Sequence, residues 1–226
     1  QSVMNPWPMI GGTAISTVKE SEIIYPNNIQ DGDVLILTKP LGTQIAVNLM
    51  EWFDQNNEKY NKVKELGITD FDIKNIYDIG IESMSRLNLL AAKLMRKYES
   101  HGATDITGFG FYGHLKNLVE AQKRDLTFCI HTIPIIGFTD IINNKVNDYG
   151  LLKGYSAETS GGILLSLEKS KSKLFIEEMR LNGEDAWEVG YVKNSLLEKL
   201  KSVEIKDDIE IISIFKKEIP EKKSKF

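Results

Sequence analysis

Residues 101–115, His-Gly-Ala-Thr-Asp-Ile-Thr-Gly-Phe-Gly-Phe-Tyr-Gly-His-Leu, set one carboxylate, Asp105, just ahead of glycines 108, 110 and 113, with an amphipathic helix following. Glycines at this spacing let backbone N–H groups approach an anion closely, and the helix N-terminus aims partial positive charge at it. A carboxylate at the same corner suits a hard cation such as Mg²⁺, which takes oxygen ligands and bridges protein to phosphate. The stretch therefore reads as a phosphate-and-metal corner. The plainer alternative is a glycine-rich turn that punctuates the start of a helix, with Asp105 as a turn or capping residue. Thr104 and Thr107 could cap equally well, so capping alone does not call for a carboxylate here.

Gly108-Phe109-Gly110-Phe111-Tyr112-Gly113 also matches the dinucleotide fingerprint G-x-G-x-x-G. That fingerprint has meaning only after a strand, with an acid about 20 positions further on to hold a ribose. The preceding segment reads as helix, because Leu87, Leu90, Ala91, Leu94, Met95 and Tyr98 recur at helical spacing. The next apolar run, from Leu126 to Ile130, ends in His131-Thr132 and not in an acid. The dinucleotide reading is set aside on both counts.

Working outward, Asp33 to Thr38 is a short apolar run between Gly32 and Pro40, expected as a buried strand. Gln44 to Phe53 reads as an apolar helix and the Asn-rich stretch from Asp54 to Tyr60 as a loop. Helices are expected at about 70–99 and 113–123, then a strand at 126–132. Strands at Gly162 to Leu167 and Ala186 to Val192 should flank a helix near 169–181, with a final or edge strand from Ile209 to Phe215. Met9 to Val18 reads as one more strand. This order indicates an α+β fold, a mixed sheet flanked by helices.

Other residues have plain readings beside functional ones. His101 and His114 flank the corner at a separation that matches no metal-ligand spacing, and His114 is expected to hydrogen-bond near the first helical turn. Thr159-Ser160-Gly161-Gly162 could form an N–H nest for phosphate or simply turn into the strand at Ile163. Lys39-Pro40-Leu41-Gly42 reads as an exposed structural turn. Trp7, Trp52 and Trp187 are expected as core or interface aromatics.

Composition bounds the class. The 226 residues are 42% hydrophobic and 27% charged, enough for one sizeable core and a short piece of a second domain. A net charge of -4 gives no footprint for nucleic acid or an anionic membrane, and no apolar run is long enough to span a bilayer. The expectation is a soluble cytoplasmic protein. The single cysteine, Cys129, excludes an intrachain disulfide and sits in an apparent strand as a buried, inert thiol.

Four blocks, in order, resemble the selenophosphate synthetases (selenide, water dikinases). Ser2 to Val18 contains Asn5-Pro6-Trp7 and is similar to the family's Asn-Pro-Trp block and the strand after it. Gly32 to Thr43 resembles its Leu-Ile-Leu-Thr-Lys-Pro-Leu-Gly segment. Ala103 to Gly110 with Gly113-His114-Leu115 resembles its Thr-Asp-Ile-Thr-Gly-Phe-Gly segment, and Ala157 to Leu165 its Thr-Ser-Gly-Gly loop. Gln44 stands where many bacterial members carry Gly, as in the eukaryotic branch. Ala157 replaces a frequent proline, which predicts a less rigid loop. Residues 166–226 carry no diagnostic motif.

The resemblance implies ATP-dependent phosphorylation of selenide to selenophosphate, with release of AMP and orthophosphate. It implies several Mg²⁺ ions, Asp105 as a metal ligand, Gln1 and Ser2 as ATP contacts, and a homodimer. It further implies a fold like the C-terminal domain of the aminoimidazole ribonucleotide synthetase superfamily. On that basis residues 1–20 are a remnant of an N-terminal ATP-binding domain, 21–32 an interdomain crossing, 33–215 the C-terminal domain and 216–226 a charged tail. Opening at Gln1, the chain is expected to be a fragment, without the family's reactive Cys or selenocysteine and inactive alone. The alternatives are a non-catalytic binding or regulatory module of the same fold, or another ATP-dependent synthetase of the superfamily. Asn5-Pro6-Trp7 and Phe109 argue against the latter.

Overall fold

Val34–Leu37 (β1) is apolar at every position and buried at every position, the signature of a central strand covered on both faces. The computed structural model describes residues 11–195 and 200–215. Ile163–Leu167 (β4) and Trp187–Asn194 (β5) flank β1, both antiparallel to it. Gly102–Asp105 (β2) closes one edge against β4, and Leu126–Ile136 (β3) lies beyond β5. Ser202–Ile214 (β6) forms the other edge, parallel to β3, giving the order β2-β4-β1-β5-β3-β6.

Side chains alternate across β1. Leu35 and Leu37 enter a large core with Ile45, Leu49 and Trp52 of α1 (Thr43–Gln55) and Ile73 and Ile76 of α3 (Asp70–Ser85). Val34 and Ile36 enter a second core with Ala91, Leu94 and Met95 of α4 (Leu89–Lys97) and Phe175 and Met179 of α7 (Lys169–Leu181). The expected α+β architecture, a mixed sheet with helices on both faces, is the one observed. Trp52 and Trp187 are core residues as expected, while Trp7 lies outside the described residues.

The strands read from the sequence at 33–38, 162–167 and 186–192 and the helix at 169–181 are present. Several details differ. The Asn-rich stretch is a helix start and not a long loop: Asn57 accepts from the N–H groups of Lys59 and Tyr60 and caps α2 (Glu58–Glu65). The single helix expected at 70–99 is two, because Arg86 turns extended and its carbonyl leaves the helix to accept the Lys39 ammonium. Gly110–Glu120 (α5) starts earlier than expected, and the seven-residue α6 (Thr139–Lys145) is additional. Strand β6 is longer than the run 209–215, since Glu204, Lys206, Asp207 and Asp208 hide its alternation; outward charge suits an edge.

Of the strand expected at Met9 to Val18, the described residues 11–18 form none and are exposed. A strand needs a neighbour to satisfy its N–H and C=O groups, and no described strand pairs with this segment. Residues 9–10 and the charged tail 216–226 lie outside the described residues.

Candidate functional site

Because β4 runs antiparallel to both β1 and β2, the ends of β1 and β2 meet the start of β4 at one end of the sheet. Leu37 pairs with Leu164, and Asp105 with Ile163. Three segments far apart in sequence, 39–44, 105–110 and 156–162, are thereby brought into one corner.

The turn expected to be exposed is buried throughout, Lys39 at 1% exposure. Its Nζ donates to the Arg86 carbonyl (2.7 Å) and the Ser160 carbonyl (2.9 Å), which ties β1 to the loop before β4. Burial, helped by the Arg86 guanidinium, lowers its pKa to about 8.

Glu158 is buried beside it and caps α1. Its carboxylate accepts from the N–H groups of Gly42 (2.7 Å) and Thr43 (3.0 Å) and from the Thr43 hydroxyl (2.5 Å). Gly42 supplies the left-handed conformation (φ 110°) that turns these N–H groups toward it. Burial pushes the carboxyl up to about 7, while the Thr43 hydroxyl and the two N–H donors pull the other way. The N-terminus of α1 is thus filled by a carboxylate of its own chain.

The loop carrying Glu158 is fastened on both sides. Thr43 Oγ1 accepts from the Thr159 N–H (3.2 Å), and Gln44 Oε1 accepts from the Ala157 N–H (3.1 Å). The two departures from the family pattern therefore meet. Ala157 supplies an N–H that proline lacks, and Gln44 takes it, so the loop expected to be less rigid is held by a hydrogen bond.

Gly110 and Gly161 answer to packing. Gly110 has φ +70°, and a Cβ there would sit 2.5 Å from the Gly154 carbonyl, whose oxygen accepts from the Tyr112 N–H at 2.8 Å. One first-turn N–H of α5 is therefore spent on the protein. A Cβ at Gly161 would overlap the Ile106 carbonyl, which gives Thr159 to Gly162 a steric reason for its glycines and favours the turn reading. The helix read from the spacing of Leu87 to Tyr98 is present as α4, but a short strand that the spacing did not reveal, β2, lies between it and Gly108. The dinucleotide unit is still absent: β2 and β3 are separated by three strands, so no βαβ pair brackets α5.

Asp105 ends β2, exposed, and its carboxylate makes no hydrogen bond or ion pair among the described residues. His114 braces the turn behind it, as expected of a residue in the first helical turns: Nε2 accepts from the Thr107 N–H at 3.0 Å. Burial lowers the His114 pKa, with the Asp105 charge opposing, which suits a neutral acceptor. A free carboxylate fits the oxygen-ligand chemistry of Mg²⁺, but it supplies one ligand. Among the described residues no group of three His, Cys, Asp or Glu could hold a metal ion. Gln1 and Ser2 lie outside the described residues. Buried Lys39 and Glu158 are what sequence reasoning missed; the signal was a charge inside an otherwise apolar or glycine-rich block.

The family model for the C-terminal domain of AIR synthase related proteins matches residues 30–201, and the chain belongs to that family. Curated relatives include selenide, water dikinases, in agreement with the four sequence blocks. The chain is 41% identical to selenide, water dikinase 2 of Mus musculus, over 91% of this chain and 47% of that protein. It is 43% identical to the Trypanosoma brucei brucei enzyme (85% and 50%) and 42% to that of Dictyostelium discoideum (85% and 53%). The chain spans about half the length of the curated relatives it matches.

Solved structures share the fold at low identity. They include hydrogenase maturation protein HypE in complex with ATP (TM-score 0.59, 15% identity, 90% of this chain and 56% of that one). Thiamine-monophosphate kinase from Stenotrophomonas maltophilia gives a TM-score of 0.57 at 11% identity, covering 85% and 55%. No helix among the described residues is long and apolar enough to cross a membrane.

Proposed function

We propose that this chain is the C-terminal part of a selenide, water dikinase that makes selenophosphate from selenide, ATP and water, releasing AMP and orthophosphate, for selenocysteine biosynthesis. The convergence of three of the four family-like blocks at one end of the sheet supports this reading best. Mg²⁺, when bound, would neutralise the polyphosphate charge that otherwise repels a nucleophile. The residues of this chain do the positioning. Asp105 offers a carboxylate oxygen to the ion, and His114 holds the turn behind it. Lys39, Thr43 and Glu158 fix the loop that packs against Ile106. Gln1 and Ser2 as ATP contacts, a homodimer and a cytoplasmic location complete the proposal.

The test joins this chain to the N-terminal half of the Trypanosoma brucei brucei relative. The chimera should form AMP and selenophosphate from ATP and selenide. The 226-residue chain by itself should not, since its described residues gather no multi-carboxylate site. Turnover by the chain alone would overturn this reading, and so would a folded chimera that makes no selenophosphate.

A further inference from the structure

At the opposite end of β1 a second polar cluster faces a cleft. Asp33, 2% exposed, accepts from the Gln30 N–H (2.9 Å) and the Ser166 hydroxyl (2.5 Å), and lies 2.9–3.0 Å from His101 Nδ1. An ionised carboxylate only accepts, so Nδ1 carries the hydrogen and the imidazole is fixed in orientation. That leaves Nε2 without a hydrogen bond among the described residues. Ser166 points at the carboxylate and not at the imidazole, so the trio is not an activated nucleophile.

His101 lines a cleft of about 750 Å³ between segment 21–30 and the ends of α4 and α5, with Arg96, Lys123, Arg124 and Tyr25 on its walls. Neither guanidinium makes a hydrogen bond or ion pair with any described residue, whereas the acids are engaged. Glu99 pairs with Lys171 at 2.6 Å, and Glu22 accepts from the Lys19 N–H. Glu22 keeps its charge, but Arg96, Lys123 and Arg124 outnumber it, so the balance in the cleft is positive.

We propose that this cleft binds a small phosphate-bearing ligand, its oxyanion held by His101 Nε2 and the Arg96 and Arg124 guanidiniums. Asp33 makes this possible. Its hydrogen bond to Nδ1 holds the ring in place, so that the protonated imidazole presents its second N–H, at Nε2, to an oxyanion, while each arginine offers a planar fork of donors. Tyr25, 44% exposed, gives the rest of the ligand a ring to pack on. The site lies at the other end of the sheet from Asp105 and does not depend on the activity proposed there.

The test follows the His101 ring signals of the full 226-residue chain by NMR at constant ionic strength. Only three histidines are present, and a His101→Gln variant assigns the signal. Orthophosphate should shift it saturably while His114 and His131 stay in place. Replacing Arg96 and Arg124, both exposed, with Gln should weaken binding about tenfold or more. AMP is the second probe: equal affinity marks a site for the bare oxyanion, and tighter binding marks a phosphate ester seated on Tyr25. The proposal is overturned if neither probe saturates, if chloride moves the signal equally, or if the double variant binds as well as the parent.

Discussion

The corner around Glu158 and the edge strand β6 handle charge in opposite ways. At the corner, Lys39 and Glu158 are sealed from water and bound to backbone groups of segments more than a hundred residues away. Along β6, Glu204, Lys206, Asp207, Asp208 and Glu210 stand in solvent while Ile205, Ile209 and Ile211 pack inward. A buried carboxylate that loses a partner leaves donors unsatisfied, and a solvated one hands its role to water. Substitutions should therefore be felt at the corner and tolerated at the edge.

The largest expected effect is on turnover. In the chimera, Asp105→Asn should lower selenophosphate formation about a hundredfold or more, since the amide keeps the shape but loses the charge a hard cation requires. Unfolding of the chain itself should shift by less than about 0.5 kcal/mol, because the carboxylate is exposed and unpaired. Wild-type turnover at limiting Mg²⁺ would reduce Asp105 to a turn residue.

Two glycines sharpen the steric side of the comparison. Gly161→Ala drives a Cβ into the Ile106 carbonyl and should destabilise by roughly 2–3 kcal/mol in denaturant titrations. Gly108→Ala meets nothing within 4 Å and should change stability by less than about 0.5 kcal/mol. Equal effects would mean that the glycine spacing is not set by backbone approach.

The buried charges give the corner its own pH dependence. Glu158 titrates near 7 when folded and near 4.5 when unfolded, so the native state holds the extra proton between these values and stability falls as pH rises through them. Lys39 titrates near 8 when folded and near 10.5 when unfolded, so the native state loses its proton first and stability rises over that interval. The two contributions leave a trough at about pH 7–8, roughly 3 kcal/mol deep on each side. The measurement is the difference in unfolding free energy between wild type and each variant across pH. Glu158→Gln should remove the acid-side slope and Lys39→Met the alkaline one. A difference flat in pH would show that neither charge is desolvated.

How much of this was legible follows from where each residue lies. Periodicity speaks about faces of regular elements, so β1, β4, β5 and α7 could be read from apolar spacing. Strand β2, four residues carrying Gly102, Thr104 and Asp105, has no alternation to detect and exists because β4 offers it a partner. Helices α2 and α6 are short and polar, and tertiary packing fixes them. At the corner, motif spacing located Asp105 and the glycines but not the fate of Lys39 and Glu158. Those two sit in loops, where periodicity is silent, and the usual preference of charged residues for water argued for exposure. What buries them is a set of partners supplied by distant backbone.

The smallest effect is the control that could break the comparison. Glu204 on β6 accepts from Lys193 Nζ at 2.7 Å across the sheet surface and from Cys129 Sγ at 3.6 Å. Both ends of the ion pair are substantially exposed, so water and salt compete for each partner. The thiol adds little: burial raises its pKa and keeps it neutral, and S–H is a weak donor. Glu204→Gln should therefore leave the denaturation midpoint unchanged within error, at low and high salt alike. Glu158→Gln, which puts an amide NH₂ where Gly42, Thr43 and the Thr43 hydroxyl all donate, should destabilise the same chain by about 1–3 kcal/mol. If the two variants unfold at the same denaturant concentration, burial does not distinguish these carboxylates and the contrast between corner and edge fails.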